Sequence, residues 1–75
     1  MYTFQPGDIL EHFKGNLYEF IAFASHSETM EELVVYKALY GEGGIWVRPK
    51  AMFLSTTTVA GKEVPRFQLY KPVTP

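Results

Sequence analysis

The stretch that decides the fold is LVVYKALYGEGGIWVRP, residues 33–49. Two runs of aliphatic, β-branched and aromatic residues flank the short sequence GEGG, residues 41–44. Such runs favour strands, and a glycine-rich link of this length is typical of a hairpin. The segment therefore predicts two antiparallel strands, residues 33–40 and 45–48. They end at Pro49, which has no N–H group to donate to a ladder.

The two faces of the first predicted strand carry different kinds of side chain. Alternation places Leu33, Val35 and Leu39 on one face, and we expect this face to pack in the core. Tyr36 and Tyr40 share the opposite face. A phenolic hydroxyl needs water or a hydrogen-bond partner, so these two tyrosines are the better candidates for the surface.

The rest of the chain predicts further strands and little helix. Three more segments are rich in aromatic and aliphatic residues: residues 9–13, 17–25 and 66–70. Residues 17–25 are apolar on both faces, which predicts a central or strongly curled strand. Residues 55–65 predict an exposed hairpin or long loop, and residues 50–54 a single helical turn after a proline. Phe53, in this turn, is expected to close one end of the core.

Together these elements predict an all-β fold. Five to six short strands with at most a single helical turn fit a small antiparallel SH3-like barrel, because closure removes exposed sheet edges. The 75 residues form a single domain, with an ordered core over about residues 7–70. A chain this short buries only about 60% of its unfolded surface. We expect some of the twelve aromatic side chains (5 Tyr, 6 Phe, 1 Trp) to supply the core, in a monomer or a homodimer.

Composition excludes several classes of protein. There is no cysteine and therefore no disulfide, and no signal peptide is visible. No stretch approaches the ~20 apolar residues of a membrane span. We expect a cytoplasmic protein that binds no membrane. The net charge of −1 argues against a protein that binds the nucleic-acid backbone, although it leaves room for a local basic patch.

The two arginines are the strongest candidates for ligand binding. Arg48 and Arg66 each adjoin a proline, which stiffens the backbone and fixes the place of the side chain. A guanidinium group offers a planar fork of donors for carboxylate or phosphate, so the pair predicts an anion site. The alternative is an internal salt bridge to the acidic segment that holds Glu28, Glu31 and Glu32.

Aromatic residues cluster around the same hairpin. Tyr36, Tyr40 and Trp46 belong to it, and Tyr18 lies on an earlier strand. Trp46 is within cross-strand reach of the tyrosines if the register allows, and core packing is the simplest role for it. An exposed aromatic strip beside an arginine would instead stack a nucleobase, a peptide proline or a sugar. Weak binding of single-stranded RNA is therefore one alternative function.

The loop His26-Ser27-Glu28-Thr29 contains an imidazole, a hydroxyl and a carboxylate. A small hydrolase or transferase using His26 and Glu28 is the alternative from another class. Neighbours in an extended loop point in opposite directions, however, so adjacency does not supply catalytic geometry. A turn held by its own hydroxyl groups, or a ligand contact, is the simpler interpretation. His12 and His26, without a thiolate or short histidine spacing, do not predict a metal site, and no cofactor is expected.

Several motifs carry a resemblance to a known family. They are HFKGNxY at 12–18, ASHSETxE at 24–31, VVY at 34–36, LYG at 39–41, WVRPxxMF at 46–53 and VPRF at 64–67. Together they resemble the small bacterial family called domain of unknown function 1653 (DUF1653), over about residues 7–70. One departure is LSTTT at residues 54–58, where the family usually carries acidic residues. The resemblance implies a small, stand-alone bacterial protein and brings no activity, substrate or catalytic residue.

The sequence therefore favours a non-catalytic binding or interaction module. Its partner would be a protein segment or a small anionic ligand. The predicted surface consists of Tyr36, Tyr40, Trp46, Arg48, Arg66, His26 and Glu28. This surface requires the hairpin residues Tyr36, Tyr40 and Arg48 to face the loop of residues 26–29.

Overall fold

The fold is an antiparallel β structure with one short helix. A computed structural model describes residues 4–73 of the chain. The elements are β1 (Ile9–His12), β2 (Leu17–Ser25), β3 (Glu32–Ala38), β4 (Ile45–Pro49), α1 (Lys50–Phe53), β5 (Thr56–Val59), β6 (Lys62–Pro65) and β7 (Phe67–Lys71). Five strands form one sheet in the order β4-β3-β2-β1-β7, and β5 and β6 form a separate hairpin. The prediction of a mainly antiparallel β fold is confirmed.

The main sheet is open rather than closed into a barrel. β4 and β7 are its two edges, and neither pairs with the other. The predicted SH3-like barrel is therefore not confirmed. The helical turn α1 instead supplies Phe53, which is fully buried and stacks on Phe67 with ring centroids 4.0 Å apart. Phe53 closes the core as predicted. Within residues 4–73, no helix is long and apolar enough to cross a membrane.

The strand β2 is the centre of the main sheet, as its apolar content predicts. It pairs with β1 on one side and β3 on the other. The register of β2 against β3 shifts between Phe20 and Ala22, which marks a β-bulge. A bulge changes the alternation of faces, and Phe23 accordingly contacts Phe20 at a centroid distance of 4.9 Å. The bulge brings Phe20 and Phe23 into contact, with Phe20 buried in the core and Phe23 39% exposed beside it.

The hairpin β3–β4 forms as predicted, but with the opposite face in the core. Val34, Tyr36 and Ala38 are buried, whereas Leu39 lies beyond the strand and is exposed. The prediction of a core face of Leu33, Val35 and Leu39 is wrong. Residues 33–36 are all apolar or aromatic, so alternation does not determine which face turns inward.

The core lies on the inner face of the sheet, under α1. Its buried members are Phe4, Leu10, Phe20, Val34, Tyr36, Phe53 and Phe67. Asp8 is also buried and ties both ends of the described chain to it. Its carboxylate accepts hydrogen bonds from the backbone N–H groups of Gln5 and Val73, each at 2.8 Å. The segments that precede β1 and follow β7 are thereby held close together.

Candidate functional site

Arg48 is the first part of a charged surface at the open end of the core. β4 places it opposite Val34, on the inner face of the sheet. Its Nε group donates a hydrogen bond to the Tyr36 hydroxyl at 3.2 Å. Its guanidinium lies over the Phe67 ring, 5.8 Å from the centroid. The side chain is thus fixed by one hydrogen bond and one cation–π contact.

Arg66 is held in a similar way from another part of the chain. It lies between β6 and β7, where its backbone N–H group donates to the Ser55 carbonyl at 3.0 Å. Its Nε group donates to the Ser55 hydroxyl at 3.2 Å. Its guanidinium lies 5.8 Å from the centroid of the Phe13 ring. Both arginines therefore use Nε for an internal bond and rest on an aromatic ring.

His12 connects these two aromatic rings. The centroid of its imidazole is 4.9 Å from that of Phe67 and 4.4 Å from that of Phe13. The backbone N–H group of Lys14 donates to His12 Nδ1 at 3.2 Å, so this nitrogen acts as an acceptor. The order in space is Arg48, Phe67, His12, Phe13, Arg66, which brings both guanidinium groups towards one imidazole.

The electrostatics of His12 reflect this placement. Burial lowers the pKa of His12 below its usual 6.5, and the positive charges of Arg48, Lys14 and Arg66 lower it further. Three cations therefore act on one side chain. The neutral imidazole is favoured, in agreement with the acceptor role of Nδ1.

A pair of tyrosines extends the surface. The hydroxyl groups of Tyr18 and Tyr40 are hydrogen-bonded at 2.7 Å. The Tyr18 ring packs edge-on against Tyr36 and Phe67, with centroids 5.3 and 5.6 Å away. Burial, followed by the bond to Tyr40, raises the pKa of Tyr18 to about 12. Tyr18 therefore stays protonated near neutral pH. We call His12, Tyr18, Tyr40, Arg48 and Arg66 the arginine surface.

Within the described residues 4–73, no carboxylate forms an ion pair with Arg48 or Arg66. Among residues 4–73, the ion pair is that of Lys50 with Glu32, at 3.2 Å. The alternative of an arginine paired with the acidic loop is therefore wrong. Instead, Lys50 of α1 forms an ion pair with Glu32, because α1 follows β4 directly and passes the end of β3.

The loop of residues 26–31 lies at the end of β3 opposite to Tyr40. His26 and Glu28 are exposed, and His26 Nδ1 accepts hydrogen bonds from the backbone N–H groups of Glu28 and Thr29 at 3.1 and 3.3 Å. This loop joins the ends of β2 and β3, whereas Tyr40 follows the opposite end of β3. Since β3 is about 20 Å long at ~3.3 Å per residue, the structure does not bring His26 and Glu28 together with Tyr40.

The aromatic residues of the hairpin are also distributed differently than expected. Tyr36 is only 5% exposed, and its hydroxyl is satisfied by Arg48. Trp46 pairs with Tyr36 across the strands, as the hairpin register allows, but it is 60% exposed because β4 is an edge strand. The expectation of a surface Tyr36 and a core Trp46 is thus reversed. Tyr40 is about half exposed.

Two functional candidates in the structure, His12 and Tyr18, were not among the predicted site residues. The sequence contains a signal for His12, which follows Leu10 by two residues on the same strand and therefore shares its inward face. The signal for Tyr18 is weaker, because its contact with Tyr40 spans 22 residues and depends on the sheet order.

The described grooves lie elsewhere on the surface. One, of about 360 Å³, is lined by Glu31, Glu32, Lys50, Ala51 and Leu54. A neighbouring groove of about 190 Å³ is lined by Phe23, Ala24, Ser25, Glu32 and Lys50. The Lys50–Glu32 ion pair contributes to both, and the larger groove also presents the exposed carboxylate of Glu31. Among residues 4–73, no cluster of three or more histidine or acidic side chains could hold a metal ion.

Comparison with known proteins identifies the family but not a function. The profile described as "Protein of unknown function (DUF1653)" matches residues 8–69. The chain is also similar to a DUF1653 protein from Bordetella bronchiseptica whose crystal structure is known, with 34% identity and a TM-score of 0.81. That match covers 96% of this chain and 94% of the other. No curated protein matches the chain. From the motifs, the profile match and the shared fold, the chain belongs to the DUF1653 family.

Proposed function

We propose that this protein is a non-catalytic binding module that holds a small anionic ligand, such as a carboxylate or phosphate compound, on the arginine surface. One observation carries the proposal. Two immobilised guanidinium groups converge on His12, and no carboxylate of residues 4–73 pairs with either. Cations that a protein holds in place without a counter-ion are suited to an anion from outside.

The free donors of the arginines have the right position for such a ligand. Arg66 uses only Nε internally, and Arg48 uses Nε together with a long contact from Nη1 to the Met52 sulfur at 3.8 Å. Residues 4–73 contain no buried side-chain nitrogen without a partner. The remaining N–H groups therefore face solvent, where a carboxylate or phosphate can accept from them in pairs.

The tyrosine pair adds neutral donors beside the cations. Each hydroxyl carries one proton, and a single hydrogen bond between Tyr18 and Tyr40 uses only one of the two. The other proton is available to a ligand oxygen. Because its pKa is raised to about 12, Tyr18 stays protonated and uncharged across neutral pH. An anion with several oxygens would thus meet guanidinium and phenol donors together.

The catalytic alternative has less support than the binding module. A hydrolase or transferase using His26 and Glu28 needs a base that is free to accept a proton from a nucleophile. His26 Nδ1 already accepts two backbone N–H groups within its own turn, and the ring is exposed. The weak RNA-binding alternative relies on an exposed aromatic strip, of which Tyr36 is buried.

A thermal-unfolding series with small anions tests the proposal. Inorganic phosphate, sulfate and citrate are added to the wild type, Arg48→Gln and Arg66→Gln, with choline chloride at matched ionic strength as the reference. Lys62→Gln is the matched control, because it removes one positive charge from an exposed position on β6. We expect at least one anion to raise the unfolding temperature of the wild type and of Lys62→Gln.

Each arginine substitution should weaken this binding about tenfold or more, since a hydrogen bond to a charged group contributes about 1.5–3 kcal/mol. The proposal fails if no anion stabilises the wild type beyond the ionic-strength reference. It also fails if both arginine variants keep the full stabilisation.

A further inference from the structure

The edge strand β4 presents one side of its backbone to solvent. β3 pairs with β4, and no other strand of residues 4–73 does. The Ala38 N–H group donates to the Gly44 carbonyl at 2.9 Å, which marks a hydrogen-bonded pair. Such pairs recur at every second position of an antiparallel ladder, so the next joins Tyr36 and Trp46.

The intervening residues of β4 therefore point their backbone groups outward. Ile45 and Val47 lie opposite Lys37 and Val35 in pairs that exchange no hydrogen bond. Their N–H and carbonyl groups face the free edge. Pro49, which has no N–H group, ends this row. The edge thus offers two donors and two acceptors on just two residues.

The same short segment carries exposed apolar side chains on both faces of the sheet. Ile45, Trp46 and Val47 are 63%, 60% and 60% exposed. Ile45 and Val47 point to the outer face, and Trp46 points to the inner face. No charge interrupts the three residues. An apolar edge strand with unpaired backbone groups is a template for pairing with another strand.

We propose that β4 pairs antiparallel with β4 of a second copy of this chain, about a two-fold axis at Trp46. In this register Ile45 faces Val47 of the second copy, and both such pairs exchange two backbone hydrogen bonds. The two Trp46 side chains then lie opposite each other. All four outward backbone groups and all three exposed apolar residues are paired at once.

The sequence of β4 itself favours a second copy as the occupant. A two-fold axis at Trp46 sets apolar against apolar on both faces, which is the self-complementarity that an isologous interface needs. It also sets Arg48 opposite Gly44, which has no side chain. The result is one continuous ten-stranded sheet. The inference does not depend on the proposed anion site.

The interface is small compared with the ~800 Å² per partner of a standard one. We therefore expect a dimer that dissociates on dilution. Sedimentation velocity over a wide range of protein concentration measures this directly. The emission of Trp46, the only tryptophan, should shift to shorter wavelength as the dimer forms.

Variants at Val47 test the register. Val47→Pro removes an outward N–H group and leaves the bonds between β3 and β4 intact, and Val47→Lys places a charge in the interface. Both should remain monomeric at every concentration. Val59→Lys is the matched control, because it makes the same change at an exposed valine on β5. It should dimerise like the wild type. Circular dichroism establishes which variants are folded.

Three results would overturn the inference. The first is a wild type that is monomeric at all concentrations. The second is a dimer that persists in a folded Val47 variant, which would place the interface elsewhere. The third is a Val59→Lys variant that loses the dimer as fully as Val47→Lys does, since general charge repulsion would then explain both.

Discussion

Tyr36 is buried on an inner strand and Trp46 is exposed on an edge strand, although the two are opposite each other in the sheet. The phenol of Tyr36 is buried because Arg48 Nε donates to its oxygen, which removes the cost of burying a polar group. Trp46 is larger and more apolar, yet it stays exposed at the sheet edge. The sequence could not predict that Tyr36 is buried and Trp46 exposed, since the hydrogen-bond partner of Tyr36 lies 12 residues away on another strand.

His12 gives a test of the arginine surface at the scale of one residue. Replacing Arg48 by Gln removes one of the positive charges that lower the pKa of His12. The pKa should therefore rise towards the usual 6.5 without reaching it, because burial, the largest cause, remains. A proton NMR titration of the His12 ring measures the change. The same titration of Lys62→Gln should match the wild type, and an unchanged pKa in Arg48→Gln would contradict the placement of this guanidinium.

The lowered pKa of His12 also fixes the pH dependence of stability and of binding. The unfolded chain takes up a proton near pH 6.5, whereas the folded chain takes it up only at lower pH. The contribution of neutral His12 is complete above pH 6.5 and is lost as pH falls towards the folded pKa. A bound anion favours the protonated ring. The affinity for phosphate, after correction for the ionisation of phosphate itself, should therefore increase as the pH falls from 6.5 towards the pKa of folded His12. A His12→Gln variant should lose the increase.

At the scale of elements, the sequence predicts the hairpins and turns well. The turn of the β5–β6 hairpin falls at Ala60 and Gly61, which both have positive φ, of 51° and 79°. Glycine adopts such angles readily, so the sequence carries a local signal for this turn. The inward face of β3 has no such signal, because apolar residues occupy both faces. Local chemistry fixes where the chain turns, and packing against other strands decides which face is buried.

The turn α1 contributes one buried side chain to the core. Phe53 is fully buried and contacts Phe4, Tyr36 and Phe67. Replacement by Ala should lower the free energy of unfolding by about 3–5 kcal/mol, because it leaves a cavity in a thin core. Urea denaturation measures this loss.

The neighbouring Leu54 is the control for this prediction, since it is exposed and lies at the end of the same turn. Leu54→Ala should cost much less than Phe53→Ala. If Phe53→Ala does not fold, Phe53→Leu gives the measurement, with a smaller loss expected. Equal costs at the two positions would contradict the role of α1 in closing the core.

At the scale of the whole molecule, the arginine surface exists because of the sheet order. Arg48 lies on β4, at one edge of the main sheet, and Arg66 directly precedes β7, at the other edge. The inner face brings the two edges towards each other over Phe67 and His12. The sequence marks each arginine as conformationally restricted, but only the topology shows that they converge. It likewise places the loop of residues 26–31 at the end of β3 opposite to Tyr40.

The most direct test of the arginine surface is an NMR titration of the isotope-labelled protein with inorganic phosphate at constant ionic strength. The account predicts saturable shifts of the His12 ring and of the Nε–H signals of Arg48 and Arg66. It also predicts a rise in the pKa of His12, because a bound anion offsets the two guanidinium charges. Lys62→Gln should behave like the wild type, and a double variant, Arg48→Gln with Arg66→Gln, should show none of these changes. Shifts that never saturate, or that persist in the double variant, would contradict anion binding at this surface.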